Sequence, residues 1–266
     1  MTGEKFRLRF AKAGLLRLIS HHDLMRCIER MLRRAAIPFK STAGFRPSPR
    51  LVFALSLPLG VVGRDEVVEL ELTEPRNATD ILNALNHQAP EGLTFTQVRV
   101  VPPTATARVR RVVYELPLAA ERRAAAQRLA DQWLRETAIW VERLKPTAKR
   151  LNIRPYIRGI HVGATVALDL WVTQDGTARA EEVLRLVGLD DWAESGAILE
   201  RTRVELRDEV SATDPTDAPP DRPPESVPLT AAEIAALTAR LKTARDQQPA
   251  VVASDWGASP NGPVVE

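Results

Sequence analysis

A chain of 266 residues with 44% hydrophobic content is long enough for two modest domains, or one with a tail, and can bury an ordinary globular core. Its single cysteine, Cys27, excludes an intrachain disulfide and any iron–sulfur or thiolate-rich zinc site built from this chain alone, which suits a reducing cytoplasm. The net charge of +3 hides a polarity: residues 1–50 carry twelve Lys and Arg against three Asp and Glu, net +9, whereas residues 207–266 carry five against ten, net −5.

In chain order, "EKFRLRFAKAG" alternates Phe6, Leu8 and Phe10 with Lys5, Arg7 and Arg9, the period of a strand buried on one face and cationic on the other. Ser20 stands before "HHDLMRCIERMLRRAAIP" with Asp23 three residues on, a helix start resembling a capping box, and Pro38 is the expected stop. Leu24, Cys27, Ile28, Met31 and Ala35 share one stripe of that helix, and Arg26, Arg30, Arg33 and Arg34 share the other side.

The loop "TAGFRPSPR" follows, and then "LVFALSLPLGV" and "DEVVELELTE" read as two strands of a hairpin whose connection contains Gly60 and Gly63. A helix capped near Asn77 and the strand "LTFTQVRVVPP" complete a β-α-β-β-α-β order over residues 5–103, the ferredoxin-like pattern. The order recurs in "RVRRVVYELPL", "AAERRAAAQRLADQWLRETA", "IWVERL", "TVALDLWVTQ", "TARAEEVLRLVGL" and "AILERTRVEL", with a further short strand at "YIRGIHV" and Thr177 as a helix cap.

The fold expected is therefore α+β: two tandem ferredoxin-like units with antiparallel sheets, residues 1–104 and 105–210. A Pro/Asp-rich disordered linker (211–228), a helix (229–247) capped by Thr230 and a disordered tail (248–266) follow. No stretch reaches the roughly 18 apolar residues of a membrane span and "MTGEKFRLRF" lacks a secretory apolar run, so a cytoplasmic protein without membrane contact is expected.

Two constellations carry chemistry. Arg26, Arg30, Arg33 and Arg34 offer forked donors on one helix face, and Arg46 and Arg50 join them if the loop folds back; Arg takes phosphate bidentately where Lys cannot. Phe45, freed by Gly44, either stacks on a base or plugs the underside of the loop. At the helix start, His21 and His22 either bind an anion, act as acid and base, or divide into one packed and one solvated ring. His87 and His161 are isolated, no zinc spacing is present, and P-loop, GxGxxG, GxSxG and HExxH motifs are absent, so no cofactor or metal is expected.

The stretch "LRLISHHDLMRCIERMLRRAAIPFKSTAGFRPSPRLVFALSLPLGV" resembles the radical SAM-linked protein family, a bacterial domain of unknown function encoded beside, or fused to the C-terminus of, a large radical S-adenosylmethionine protein. The resemblance centres on "SHHDLMR" and on "GFRPSPR" followed by "LPLG", and extends through "NIRPYI" and "DGTARAEEVL" over about residues 5–206. The family usually has Leu at the position of His22, and its loop usually reads Gly-Phe-Asn-Pro-His-Pro-Lys, so Gly44, Phe45, Pro47 and Pro49 match while Arg46, Ser48 and Arg50 depart.

The resemblance implies an accessory role beside a radical SAM partner. The expectation is a non-catalytic module that binds RNA, tRNA or ribosomal RNA, through His21, His22, Arg26, Arg30, Arg33, Arg34, Gly44, Phe45, Arg46 and Arg50. Docking on the radical SAM protein through the same surface is the alternative, and an RNA-cleaving or other acid–base enzyme using His21 or His22 is a third.

Overall fold

The computed structural model describes residues 3–42, 47–210 and 217–247, so Gly44, Phe45 and Arg46 lie outside the described residues. In chain order the elements are β1 (Lys5–Lys12), α1 (His21–Arg34), β2 (Leu51–Phe53), β3 (Val62–Glu71), α2 (Ala78–Gln88), β4 (Leu93–Val101), β5 (Val109–Pro117), α3 (Ala120–Arg135), β6 (Trp140–Arg143), β7 (Lys149–Asn152), β8 (Ile157–Val162), β9 (Thr165–Trp171), α4 (Ala180–Leu186), β10 (Glu200–Leu206), β11 (Ser226–Pro228) and α5 (Ala231–Gln247). The class is α+β, with one mixed eight-stranded sheet and one three-stranded sheet of order β11-β7-β6.

The alternation in β1 buries Phe6, Leu8 and Phe10 against Leu24, Ile28, Met31 and Leu32 of α1 and Ile81 and Leu85 of α2. Ser20 caps α1 by accepting from the Asp23 amide at 3.2 Å, and its hydroxyl donates to Asp23 Oδ2 at 2.7 Å. The helix ends before Pro38 is reached. The Ile37 amide donates to Leu32 O at 3.0 Å and the Ala36 amide to Arg33 O at 3.2 Å, a Schellman closure that puts Ala36 at φ +51° and buries Ile37.

The eight strands run β4-β1-β3-β10-β5-β9-β8, with β2 pairing β3. The repeated element order predicts two separate antiparallel sheets. Instead β3 and β10 pair in parallel through Glu200 opposite Val62 and Arg201 opposite Gly63, joining the halves edge to edge into one mixed sheet.

Three local expectations change as well. Gly63 lies inside β3 rather than in the hairpin connection; β9 takes β8 ("IRGIHV") as its neighbour, while "WVER" of β6 goes to the three-stranded sheet. Thr177 does not cap α4, because its hydroxyl donates to Trp171 O at 2.8 Å; Arg179 is the N-cap, its amide donating to Glu182 Oε2 at 2.9 Å.

The Lys5, Arg7 and Arg9 side of β1 is not an open cationic surface. Arg7 and Glu69 are both 1% exposed at the side chain, and the guanidinium donates twice to Glu69 Oε1, at 3.1 and 2.9 Å, and to Asp208 at 2.9 Å. Lys5 pairs with Glu69 at 2.7 Å, and Arg9 pairs with Asp65 and Glu209. Acidic residues just after β10 thus pair with two cations of β1, Arg7 and Arg9.

The chain divides into two units. The first comprises the described residues up to Val141 with Leu151–Glu225. Its second hydrophobic cluster packs Val112, Tyr114, Val166, Leu168 and Leu170 of β5 and β9 with Ala126 and Ala130 of α3 and Val183 and Leu184 of α4. Asp217 is held by Arg158 at 2.7 Å. The second comprises Glu142–Arg150 with the described residues from Ser226 on. There Thr230 begins α5, its hydroxyl accepting from the Glu233 amide at 3.3 Å while Glu233 accepts from the Thr230 amide at 2.8 Å.

Candidate functional site

Two surfaces meet at α1. With Leu24, Ile28, Met31 and Leu32 turned into the core, Arg26, Arg30, Arg33 and Arg34 are all exposed along the opposite side, as the spacing predicts. Their local ties differ. Arg26 has only a 3.7 Å pairing with Asp23, and Arg30 carries no ion pair among the described residues. Arg33 donates to Glu29 at 2.9 and 3.2 Å and lies 5.2 Å over the Phe39 ring, while Arg34 reaches across to Gln88 Oε1 and O, both at 3.0 Å, at the end of α2.

The stem of the following loop is closed by backbone pairing: the Thr42 amide donates to Ser48 O at 2.8 Å and the Arg50 amide to Lys40 O at 2.9 Å. Arg50 pairs with Glu71 of β3 at 3.5 Å and shares that carboxylate with Lys40 at 3.1 Å, so it is tied to the sheet, not to α1. The proposed stacking residue Phe45, with Gly44 and Arg46, falls outside the described residues.

His21 and His22 divide. The His22 residue is exposed, whereas His21 is half-buried with its ring 4.7 Å from that of Phe53 and 6.2 Å from that of His22. His21 lines a cleft with Phe10, Lys12, Leu24, Phe53, Leu55, Leu57 and Glu66. The cleft as a whole has room for about one water, and the roughly 240 Å³ of free space around it includes open solvent.

The charged floor of that cleft has no counterpart in the sequence-based expectations. Lys12, at 1% exposure, donates to Ile19 O at 3.1 Å. Glu66, at 3%, is held by the fully buried Arg201 of β10, whose Nε donates to Oε1 at 2.8 Å and whose Nη2 donates to Oε2. Arg201 also donates to Ser56 O at 3.1 Å, Leu55 O at 3.3 Å and the Tyr114 hydroxyl at 3.2 Å.

Burial lowers the Lys12 pKa, against the opposing pull of Glu66. Burial, with the neighbouring His22 and Lys12 charges, also lowers that of His21. For Arg201 burial is the largest influence and disfavours charge, but Glu66 and Tyr114 outweigh it and raise the pKa.

In sequence Glu66 looks like one more outward acid in "DEVVELELTE". The signal is Gly63: a Cβ there would lie 2.5 Å from Glu66 Cγ, so the glycine makes room for the carboxylate to fold back over its own strand. Arg201 carries no such mark. Among the described residues no group of three or more His, Cys, Asp and Glu could hold a metal, and no helix is long and apolar enough to cross a membrane.

No curated protein matches the chain. Among solved structures, the crystal structure of an unknown protein from Galdieria sulphuraria aligns over 77% of this chain and 98% of its own at 13% identity, with a TM-score of 0.25, too low to carry an argument. A family model described as "Uncharacterized protein conserved in bacteria (DUF2344)" matches residues 5–184, a span that contains the basic helix, the loop and most of both sheet halves. The chain belongs to that bacterial family.

Proposed function

We propose that the protein is a non-catalytic cytoplasmic module that binds RNA along the outer side of α1 and the Thr42–Arg50 loop and presents it to a radical SAM protein. One observation carries this reading: Arg26, Arg30, Arg33 and Arg34 remain exposed on one helix side although the cations of β1, Lys5, Arg7, Arg9 and Lys12, are buried or paired. The surviving positive surface is narrow and made of guanidinium groups, the fork that suits phosphate oxygens. Its ties to Asp23 and Glu29 are surface ion pairs, worth at most about 1 kcal/mol each, which a phosphate can displace.

The architecture behind this surface reads as two ferredoxin-like halves. The relative strand order β4-β1-β3-β2 is repeated by β10-β5-β9-β8, each with two helices between its strands. The radical SAM partner rests on the resemblance of "SHHDLMR" and "GFRPSPR". Ultraviolet crosslinking to bulk tRNA and peptide mapping test the reading: crosslinks should concentrate on residues 22–34 and 42–50, and crosslinks confined to other surfaces would contradict it.

A second reading, docking on the radical SAM protein without RNA, is favoured by one observation of its own. Leu15, Leu18 and Leu59 are 80%, 56% and 67% exposed, and the Gly60 amide donates to Arg17 O at 2.9 Å, which brings their two segments together. Exposed leucines in one place suit a protein partner. Leu15→Asp with Leu59→Asp should abolish binding to the purified partner under this reading and leave it unchanged under the first.

A further inference from the structure

We propose that the cleft between β1, β2, β3 and the start of α1 binds a small organic monoanion, a carboxylate, between Lys12 at its floor and His21 at its lip. Two cations and one carboxylate are buried there, Lys12, Arg201 and Glu66, at 1%, 0% and 3% exposure. Glu66 is already matched by Arg201 through two parallel bonds, so the Lys12 ammonium is the surplus charge. A buried cation without its own counter-ion is costly, and a monoanion arriving from solvent removes that cost.

Hydrogen bonding makes the same demand. Lys12 has three donors, and among the described residues one acceptor meets them, Ile19 O at 3.1 Å, together with the electrostatic pull of Glu66. Lys12 lines the cleft, so its remaining donors are available to a guest there. At the lip, His21 offers an imidazole that becomes a second cation once an anion is present to favour protonation.

Size and walls narrow the class. Phe10, Phe53, Leu24, Leu55 and Leu57 surround the charged floor, so the guest should carry a small apolar stem behind its anionic head. With room for about one water in all, the cleft admits the planar head of a carboxylate, its stem lying at the open mouth, better than a tetrahedral dianion, and a second negative charge would face Glu66. The cleft is the opposite side of α1 from the arginine row, so this site is independent of RNA binding.

The test is an NMR titration of the full chain with sodium acetate at constant ionic strength, following the His21 imidazole and Lys12 ammonium resonances, with inorganic phosphate as a second arm. Saturable shifts in both residues with acetate are expected, and at least a tenfold weaker dissociation constant in Lys12→Met. Leu57→Trp, which fills the mouth and leaves every charge in place, should abolish the shifts even if Lys12→Met folds poorly. Arg128→Gln, on the exposed side of α3, should behave as wild type. No saturable shift up to about 100 mM acetate, unchanged affinity in folded Lys12→Met and in Leu57→Trp, or tighter binding of phosphate than of acetate would each overturn the proposal.

Discussion

Arg7 and Asp208, 201 positions apart in the chain, meet at 2.9 Å on the side of the sheet away from α1. This contact, with Arg9 to Glu209, explains why a segment of net +9 does not fold into a uniformly basic surface. The two members are unequal. Arg7 and its other partner Glu69 are 1% exposed, whereas the Asp208 side chain is 47% exposed. Replacing Arg7 by Met takes the guanidinium bonds from the buried Glu69 carboxylate and leaves it Lys5 alone, and a loss of about 1.5–3 kcal/mol is expected from denaturant unfolding. Asp208→Asn should cost less than about 1 kcal/mol. Equal losses would contradict the arrangement.

Removing Arg201 and removing Lys12 should also have unlike effects. Arg201→Met takes both hydrogen-bonded donors from buried Glu66 and leaves it only the attraction of Lys12, with an expected loss of about 3–5 kcal/mol. Lys12→Met leaves the Glu66–Arg201 pair intact and removes a surplus buried charge, so stability should stay within about 1 kcal/mol of wild type or rise. Thermal and urea unfolding of the two variants side by side decide it.

Gly63→Ala reaches the same cluster through the backbone. The added methyl would stand 2.5 Å from Glu66 Cγ, so the carboxylate must shift away from Arg201. A loss of about 1–3 kcal/mol is expected, the cost of disturbing a buried hydrogen-bonded group. A neutral outcome would mean that Glu66 has a second position of equal energy.

The end of α1 offers a gain. Ala36 occupies a left-handed conformation at φ +51° that glycine adopts without the Cβ clash. Ala36→Gly should therefore stabilise the protein by roughly 0.5–1 kcal/mol, seen as a rise in Tm with the denaturant slope unchanged.

His21 gives a pH dependence with a definite sign. Its folded pKa lies below the ordinary 6.5, so the unfolded chain binds the proton more readily. The stability it contributes is present above about pH 6.5 and is lost as the pH falls through the folded value. Between about pH 7.5 and 5, wild type should lose more stability than His21→Gln; a larger loss in the variant would reverse the assignment.

Periodicity makes the apolar architecture legible. Phe6, Leu8 and Phe10 alternate, and Leu24, Ile28 and Met31 recur at helical spacing, so their burial follows from geometry alone. Charged residues mislead, because Arg7 beside solvent and Arg7 beside Glu69 have the same local sequence; only the distant pairing of β1 with β3 and the return of Asp208 distinguish them. The edge-to-edge joining of β3 to β10 depends on two residue pairs, Glu200 with Val62 and Arg201 with Gly63, far apart in the chain, and leaves no local trace. Of the candidate site, the arginine row is readable from spacing, whereas the Lys12, Glu66 and Arg201 cluster is hidden in strands that look ordinarily amphipathic.

The most direct test of the RNA reading is a titration of the full chain against bulk tRNA at several salt concentrations, with wild type compared to a variant in which Arg26, Arg30 and Arg33 are changed to Glu. The account predicts at least tenfold weaker binding by the variant and a shallower dependence of log affinity on log salt, by about 0.7 for each single-stranded phosphate that is no longer neutralised. Unchanged affinity and slope in a folded variant would contradict it.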